Sequence, residues 1–428
     1  MIKKILSTRL FKNMGVYMVS GIINAAIPFL LLPVLTRYLS PNDYGITATF
    51  QSLTGLFSFL VGLNTQTAVI RRFYDNEKVN FSEYISNCLL ILFLSTAILL
   101  TLLFPFSDFI SRITEFPRNW LWTIVLVSFF QYLFSIILGV WQVRGKVYYY
   151  AMFQNSQTLV NILLSLIFII FLGMNWKGRI LGQTISTAAF GIMSLLILSR
   201  LDLIKSTMNR SYLSDALKFG VPLIPYSFTG WILLSMDRIL LNNLVGLRET
   251  GLYSVAYQLS MIIALFQISF NTAWVPWLYE KIKLNDEKQN ISIVRLSYLF
   301  IFSNFLLAAL LVVAGPPFIK FFIGKSFYGA TEFLWWLCLA QASNGIHIVA
   351  VTYVNYHNKN IYLTYSAVFT ALVHIPVTYL LIKLNGTMGA AQSFFISSLL
   401  TSILTFSLAL KFHRLPWLNG LRKSFRLN

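Results

Sequence analysis

The sequence predicts an all-α protein that crosses a membrane about twelve times. Of the 428 residues, 57% are hydrophobic and only 11% are charged, and the mean hydropathy is +0.69. A soluble globular protein carries about 25% charged residues, so this chain has too few polar side chains to cover a water-facing surface. Each spanning helix needs about 20 apolar residues, and about twelve of them match the hydrophobic share. A soluble multidomain enzyme is excluded.

Successive apolar segments of suitable length follow one another along the chain. The first begins at Met14, after a basic N-terminal stretch. Because it lasts to about Leu35 and has no A-x-A cleavage site, we interpret it as a retained helix rather than a signal peptide. The predicted spans are residues 14–38, 46–70, 84–106, 120–141, 149–172, 180–199, 219–246, 252–275, 293–315, 331–354, 361–382 and 389–410.

The distribution of lysine and arginine predicts the orientation. With the N-terminus inside, 23 of the 33 basic residues lie on the cytoplasmic side, nine lie on the opposite side, and Arg238 lies within a span. Positive charge concentrates on the cytoplasmic side of membrane proteins, so both termini are expected there. The net charge of +19 also suits anionic membrane lipids, and without a soluble basic domain it does not indicate a nucleic-acid partner.

Sequence motifs of covalent catalysis are absent. The chain has no GxxxxGK[ST] loop for nucleotide phosphates, no HExxH zinc motif and no GxSxG nucleophile elbow. The acidic residues of the external loops are scattered singly. Cys88 and Cys338 have no CxxC or histidine neighbours, so we interpret both as small core residues. We therefore expect no enzyme activity, no cofactor and no metal site.

The two halves of the chain share a pattern. Gly15 opens a stretch that ends at Gly45, and Gly220 opens a similar stretch that ends at Gly251, with an acidic residue two positions before each final glycine. Together with six predicted spans in each half, this match predicts a duplicated six-helix unit. The expected domains are an N-terminal lobe, residues 1–205, and a C-terminal lobe, residues 206–428.

Prolines occupy matching places in the two halves. Pro28 and Pro33 lie in the first span, and Pro222 and Pro225 lie in the seventh. Paired proline-interrupted segments mark the substrate-lining helices of many transporters. We therefore expect both spans to be broken, with non-helical backbone facing protein or water.

The deepest ionisable residues of the predicted spans are the neighbours Asp237 and Arg238. An arginine at the bilayer centre costs about 2.5 to 3.5 kcal/mol on insertion scales, which is tolerated where it faces a wet cavity or a partner. Two interpretations remain open: a substrate-contacting pair, or snorkelling and a buried structural pair. Neighbouring helical residues point about 100° apart, so a bridge between the two cannot be assumed.

Other polar residues could contact a substrate, although each has a plainer interpretation. Basic residues at helix ends ordinarily anchor a span at the membrane surface, and amides ordinarily form interhelical hydrogen bonds. His347, His357 and His374 lack metal spacing, and hydrogen-bonded packing suits them better than a proton relay. The further candidates are Arg37, Arg71, Arg72, Gln258 and Asn271.

Four stretches together resemble a known family. They are TRYLSPNDYG at 36–45, VIRRFYDNE at 69–77, SMDRILLNNLVGLRETGLYSVAYQL at 235–259 and NTAWVPWLYEK at 271–281. Their order, the length and the span count resemble the polysaccharide-transporter branch of the multidrug/oligosaccharidyl-lipid/polysaccharide exporter superfamily. Within that branch the chain is similar to Wzx-type flippases of O-antigen and capsule repeat units.

The resemblance implies a V-shaped, MATE-like bundle of two lobes, with spans 1, 2, 7 and 8 lining a central cavity. It implies that the protein moves undecaprenyl-diphosphate-linked oligosaccharides from the cytoplasmic to the periplasmic leaflet of a bacterial inner membrane. A diphosphate suits arginine forks. Energy would come from an ion gradient, with H⁺ or Na⁺ as the coupling ion, from the membrane potential, or from downstream consumption. A polysaccharide polymerase complex is a further candidate partner.

Two alternatives remain open from the sequence. A multidrug exporter of the same superfamily is expected to place carboxylates in its cavity, and one aspartate beside an arginine suits organic cations poorly. A membrane glycosyltransferase or polymerase of polysaccharide assembly belongs to a different class. The short external loops disfavour it, because they leave no room for a catalytic domain.

Overall fold

A computed structural model describes residues 9–75, 79–205, 207–284, 286–412 and 415–417, and every regular element within them is helical. Twelve helical segments are long and apolar enough to cross a membrane. Each overlaps one predicted span, which confirms the predicted number and order. The segments are Val19–Tyr38, Pro41–Arg72, Phe81–Thr114, Arg118–Val143, Val147–Phe171, Asn175–Arg200, Arg210–Leu244, Leu247–Leu284, Glu287–Phe322, Lys325–Tyr356, Asn360–Asn385 and Thr387–Phe412.

The chain forms two compact units. The first holds the described residues up to Leu30, then Tyr38–Trp231 and Gly246–Gly251. Its core packs around buried Tyr84, Cys88 and Tyr132. Its helices are α1 (Arg9–Tyr38, as far as Leu30), α2 (Pro41–Leu60), α3 (Thr65–Arg72), α4 (Phe81–Thr114), α5 (Leu121–Val143), α6 (Val147–Leu166), α7 (Asn175–Arg200), α8 (Arg210–Gly220) and the start of α9 (Ile224–Leu244).

The second unit holds Leu31–Arg37, Ile232–Val245 and the described residues from Leu252 onward. Trp274, Phe300 and Tyr353 are buried in its core, and Trp417 packs on the same cluster. The predicted lobe boundary at residue 205 stays a prediction. The helices of this unit are most of α9, α10 (Leu247–Leu284), α11 (Glu287–Phe322), α12 (Thr331–Tyr356), α13 (Asn360–Asn385) and α14 (Thr387–Phe412).

Local sequence signals explain several helix starts. At α2, Ser40 and Asp43 form a reciprocal capping box: the Ser40 hydroxyl accepts from the Asp43 backbone N–H, and the Asp43 carboxylate accepts from the Ser40 N–H at 2.9 Å. Pro41 takes the first helical position, where no amide donor is needed. Asn80 caps α4 by accepting from the backbone N–H of Glu83. Both Cys88 and Cys338 are buried and unpaired, as expected.

The helix breaks differ from those expected at the prolines. Helix α1 continues through Pro28 and Pro33, so the expectation of a broken first span is wrong. Pro222 lies in a 3₁₀ turn, Val221–Leu223, directly before α9, and Pro225 lies in the first turn of α9. A proline removes one donor, and its neighbours can satisfy the freed carbonyl inside a membrane. Proline alone therefore need not end a spanning helix.

A break that the sequence analysis did not predict lies in the second span. Between α2 and α3, Gly62, Leu63 and Asn64 have φ values of 74°, 51° and 57°. A Cβ on Gly62 would overlap the ring of Tyr132, so this position requires glycine. The Gly62 N–H donates to the Ser95 hydroxyl at 2.9 Å. Polar side chains therefore satisfy part of this non-helical backbone within the first unit.

Candidate functional site

Arg238 lies in the second half of α9 and is half-buried. Its Nη1 donates to the carbonyl oxygen of Leu234 at 2.9 Å, and the guanidinium carbon lies 4.4 Å from the ring centroid of Tyr257 on α10. A cation–π contact of this kind contributes about 0.5 to 2 kcal/mol. No carboxylate of the described residues forms an ion pair with Arg238. Its charge is therefore held in the second unit without being neutralised.

Asp237 contacts a different set of side chains from Arg238. It is only 3% exposed, and its Oδ2 accepts from the hydroxyl of Tyr253 at 2.9 Å. Its Oδ1 lies 3.2 Å from Nε2 of His374 on α13. The neighbours Asp237 and Arg238 thus contact different side chains.

Hydroxyl groups extend this buried cluster onto α14. Nδ1 of His374 lies 2.8 Å from the hydroxyl of Ser397. Thr378 lies one turn after His374 on α13 and hydrogen-bonds the hydroxyl of Ser393. Thr378 also donates to Oδ1 of Asp237 at 3.4 Å. We name Asp237, Tyr253, His374, Thr378, Ser393 and Ser397 the Asp–His cluster; it joins four helices of the second unit.

The two amide candidates lie further along α10. Gln258 is half-buried and follows Tyr257 directly. Asn271 lies 13 residues beyond it, about 20 Å along the helix axis, so the structure separates it from Arg238. The Oδ1 atom of Asn271 is buried and has no hydrogen-bond partner. A buried amide oxygen in this state is a polar group available to a ligand or water.

The remaining basic candidates occupy other places. Arg37 is exposed at the end of α1. In the first unit, Arg71 is exposed and lies over the ring of Phe219, 5.0 Å from its centroid. Arg72 pairs with Asp215 of α8, its Nε donating to Oδ2 at 2.9 Å. Arg71 and Arg72 therefore pack on α8, whereas Asp237 and Arg238 belong to the second unit.

Sequence reasoning missed several polar groups. His374 was interpreted as a packing residue, and no sequence signal connects it to Asp237. Arg179, which lies between the predicted spans 149–172 and 180–199, is in the first turns of α7, and its Nη1 donates to Asn161 and Ser165 of α6, both at 2.8 Å. Arg179 follows the apolar run at 163–172 by seven residues. That closeness to a span was the available signal.

A second polar cluster lies in the first unit between α1 and α6. The amide of Asn24 donates to Asn155, and the hydroxyl of Thr158 donates to Asn24. Ser20 donates to Asn155 at 3.2 Å. These amides and hydroxyls can donate and accept, as sugar hydroxyls require. This cluster thus offers neutral hydrogen-bonding groups within the first unit.

Comparisons with known proteins concern the family and the fold. Residues 10–281 match the family model described as polysaccharide biosynthesis protein. An uncharacterized membrane protein of Haemophilus influenzae is 24% identical over 372 residues, covering 86% of this chain and 89% of that protein. The capsular polysaccharide biosynthesis protein CapF of Staphylococcus aureus is 23% identical over 405 residues, covering 92% and 97%.

A solved structure shares the fold. The inward-facing conformation of a multidrug resistance MATE family transporter of the MOP superfamily superposes with a TM-score of 0.73 at 14% identity, covering 96% of each chain. This likeness shows a MATE-like fold, as the resemblance implied. The family match extends over more than half of the chain, from α1 into the last turn of α10. The chain therefore belongs to the polysaccharide biosynthesis protein family and is a multi-pass membrane protein with a MATE-like fold.

Proposed function

We propose that the protein flips undecaprenyl-diphosphate-linked oligosaccharide repeat units from the cytoplasmic leaflet to the periplasmic or outer leaflet of a bacterial cell membrane. Transport proceeds by alternating access and makes no covalent change. The units serve O-antigen, capsule or exopolysaccharide assembly. Family membership and the MATE-like fold support a membrane exporter in polysaccharide synthesis.

The observation that carries the proposal is the state of Arg238. A guanidinium within a membrane span is costly unless it meets water, an anion or an aromatic ring. Here it meets the ring of Tyr257 and a backbone carbonyl, and the described residues place no carboxylate on it. An anionic group such as a diphosphate can therefore approach a cation that is already positioned. The planar guanidinium suits two phosphate oxygens at once.

Polar groups elsewhere suit the glycan. The cluster of Ser20, Asn24, Asn155 and Thr158 presents neutral donors and acceptors. Arg179 adds a cation held by neutral Asn161 and Ser165 rather than by a carboxylate. Neutral amides and hydroxyls can donate to and accept from sugar hydroxyls, so these groups support an oligosaccharide substrate. Gln258 and Asn271 stay candidates for the same role.

The multidrug alternative has less support. A multidrug exporter is expected to offer a carboxylate that can pair with an organic cation. The carboxylate of Asp237 is buried and already contacts Tyr253 and His374. The second alternative, a membrane glycosyltransferase or polymerase, would extend a glycan rather than move it. The experiment below separates all three.

The experiment is a deletion followed by analysis of lipid-linked sugars. Loss of the protein should leave complete lipid-linked units trapped on the cytoplasmic leaflet, where a membrane-impermeant glycosidase or lectin added to intact spheroplasts cannot reach them. Re-expression should restore access. A truncated glycan that lacks one sugar would instead point to a transferase. Normal access with altered drug sensitivity would point to a multidrug exporter.

The proposal includes the surroundings of the protein. Both termini are cytoplasmic, in accord with the 23 basic residues on that side among 33. Anionic membrane lipids contact the basic loops. The coupling ion is H⁺ or Na⁺, and a polysaccharide polymerase complex receives the flipped unit. No cofactor and no nucleic acid take part.

A further inference from the structure

A second cation lies within a candidate span of the first unit, where Arg179 of α7 contacts α6. Its Nη1 donates to Oδ1 of Asn161 and to the hydroxyl of Ser165, both at 2.8 Å. Both acceptors are neutral, and no carboxylate of the described residues forms an ion pair with Arg179. The structure therefore holds one positive charge between α6 and α7 without a compensating anion.

The guanidinium of Arg179 lies deeper in the span than its own backbone. A turn at 172–174 joins α6 to α7, and a Cβ on Gly182 would overlap the backbone of Ser165, so these two residues are level. Arg179 is three residues closer to the turn, yet its Nη1 reaches Ser165 and also Asn161, one helical turn further in. A cation that only anchors a helix would extend toward the nearer membrane surface. This one is directed inward.

One edge of the guanidinium has no partner. Only Nη1 of Arg179 donates, and the edge formed by Nε and Nη2 makes no hydrogen bond with the described residues. Arg179 and Asn161 are half-buried, whereas Ser165 is buried. The group is thus fixed on one side by α6 and remains accessible on the other. A guanidinium edge of this kind binds two oxygens of one acid side by side.

Neutral polar side chains continue from the cation along both helices. Gln183 lies one turn after Arg179 on α7, and its Oε1 accepts from Nε2 of Gln51 of α2 at 2.6 Å. On α6, Thr158 lies one turn before Asn161 and belongs to the amide and hydroxyl cluster between α1 and α6. We name the following residues the Arg179 site: Gln51, Asn161, Ser165, Arg179 and Gln183.

We infer that the Arg179 site binds a carboxylated sugar of the transported repeat unit, such as a uronic acid. The assignment to a repeat unit rests on the proposed function, whereas binding of the sugar itself does not. The unpaired guanidinium edge matches the two oxygens of a carboxylate. The flanking amides can donate to and accept from the ring hydroxyls. A uronic acid carries both kinds of group on one ring.

A carboxylate fits the charge of the site better than a phosphate does. The neighbouring basic residue, Lys177, is exposed and lies over the ring of Trp176, with Nζ 5.8 Å from the ring centroid, so the site itself contains one cation. A sugar carboxylate carries one negative charge at neutral pH, which one guanidinium balances. A phosphate monoester carries about −1.5 to −2, and a neutral sugar would leave the guanidinium without an anion.

The direct test is saturation-transfer-difference nuclear magnetic resonance on the full-length protein in nanodiscs of phosphatidylcholine. The probes are methyl β-D-glucuronide, which carries a carboxylate, and methyl β-D-glucoside, which does not. The glucuronide should bind, and Arg179→Gln should weaken its binding about tenfold or more, because hydrogen bonds to a charged group are lost. Lys177→Gln is the matched control. It removes an exposed cation from the same helical turn and should leave glucuronide binding unchanged.

Asn161→Asp tests the site without removing its cation. Oδ1 of Asn161 lies 2.8 Å from Nη1 of Arg179, so the new carboxylate neutralises the guanidinium from within the protein. The thermal unfolding temperature should be kept, while glucuronide binding should fall as it does in Arg179→Gln. Unchanged glucuronide binding in Asn161→Asp would overturn the inference. Equal binding of the two sugars, no binding of the glucuronide, or tighter binding of inorganic phosphate would overturn it as well.

The substrate assignment is tested in cells by chemical analysis of the surface polysaccharide that disappears on deletion. Its repeat unit should contain a uronic acid or another carboxylated sugar, and a wholly neutral polysaccharide would overturn the assignment. Arg179→Gln should reduce polysaccharide output at matched membrane abundance, and Lys177→Gln should leave it unchanged. If the deletion traps no lipid-linked unit, the proposed function fails while glucuronide binding by the protein in nanodiscs stands.

Discussion

Gly45 and Gly251 pack against each other within the first unit. A Cβ on Gly251 would lie 3.2 Å from the backbone nitrogen of Gly45 and would overlap the carbonyl group of Pro41. In return, a Cβ on Gly45 would overlap the carbonyl oxygen of Leu247. Pro41 and Leu247 are separated by the same number of residues as the two glycines. Each glycine thus lies against the backbone of the residue four positions before the other glycine.

We therefore expect Gly45→Ala and Gly251→Ala each to destabilise the protein. The added methyl group meets backbone rather than a flexible side chain, and overpacking of this kind costs about 1 to 3 kcal/mol. The measurement is the thermal unfolding temperature of the purified protein in detergent. Gly230→Ala is the control, because a Cβ there meets nothing within 4 Å. Unchanged unfolding temperatures for both variants would contradict the close approach.

A second prediction concerns the ion pair between Arg72 and Asp215. Two guanidinium nitrogens contact the carboxylate, and the hydroxyl of Tyr84 donates to it at 2.9 Å. Asp215→Asn should lower the free energy of unfolding by about 1 to 3 kcal/mol, since hydrogen bonds to charged groups are lost at a partly covered site. Arg71→Gln should cost less than about 1 kcal/mol, because Arg71 is exposed and lies over the ring of Phe219.

The control for this pair is the charge exchange, Arg72→Asp with Asp215→Arg. If attraction between α3 and α8 matters, the exchange should recover part of the stability that either single substitution loses. Denaturant or thermal unfolding of the purified variants gives the coupling free energy. A loss in the double variant equal to the sum of the two single losses would mean that the two residues act independently.

The spans could be predicted because hydropathy alone decides which segments enter a membrane. Leu247–Leu284 nevertheless runs past Pro276, where the sequence analysis ended a span. Pro276 is a poor sign of a helix end here, because a membrane helix tolerates the loss of one backbone N–H donor. The true break at Gly62 and Asn64 carried a weaker signal. Both residue types tolerate positive φ, but most glycines in spanning helices are helical.

The site could be predicted only in part. Asp237 and Arg238 stood out because charges in spans are rare. Their partners could not be deduced, because the contact of Asp237 with His374 depends on how α9 packs on α13, and Arg72 finds Asp215 only when α8 lies beside α3. Periodicity locates a face of a helix but not the helix that covers it. Candidates such as Arg71 and Arg72 therefore looked alike in the sequence.

A third prediction concerns orientation. Reporter fusions after Asn209 and Arg422 should read as cytoplasmic, and a fusion after Lys325 should read as periplasmic, because basic residues concentrate on the inner side. Asn209 caps α8 by accepting from the backbone N–H of Ser211. A fusion after this residue follows six of the twelve candidate spans. Alkaline phosphatase and green fluorescent protein give opposite signals and check each other. A periplasmic signal after Asn209 would reverse the topology.

The last prediction concerns Arg238. If its guanidinium contacts the diphosphate, Arg238→Gln should abolish surface-polysaccharide output, and Arg238→Lys should also reduce it, since lysine keeps the charge and the contact with Tyr257 but loses the planar fork. Output is measured at matched membrane abundance. Lys383→Gln is the matched control. Nζ of Lys383 lies 4.6 Å from the ring centroid of Tyr379 in the same unit, so the substitution removes a similar cation–π contact. Full output from both Arg238 variants would leave a structural role only. If Arg238→Gln loses surface-polysaccharide output and Arg238→Lys keeps it in full, the substrate requires the positive charge and not the planar guanidinium.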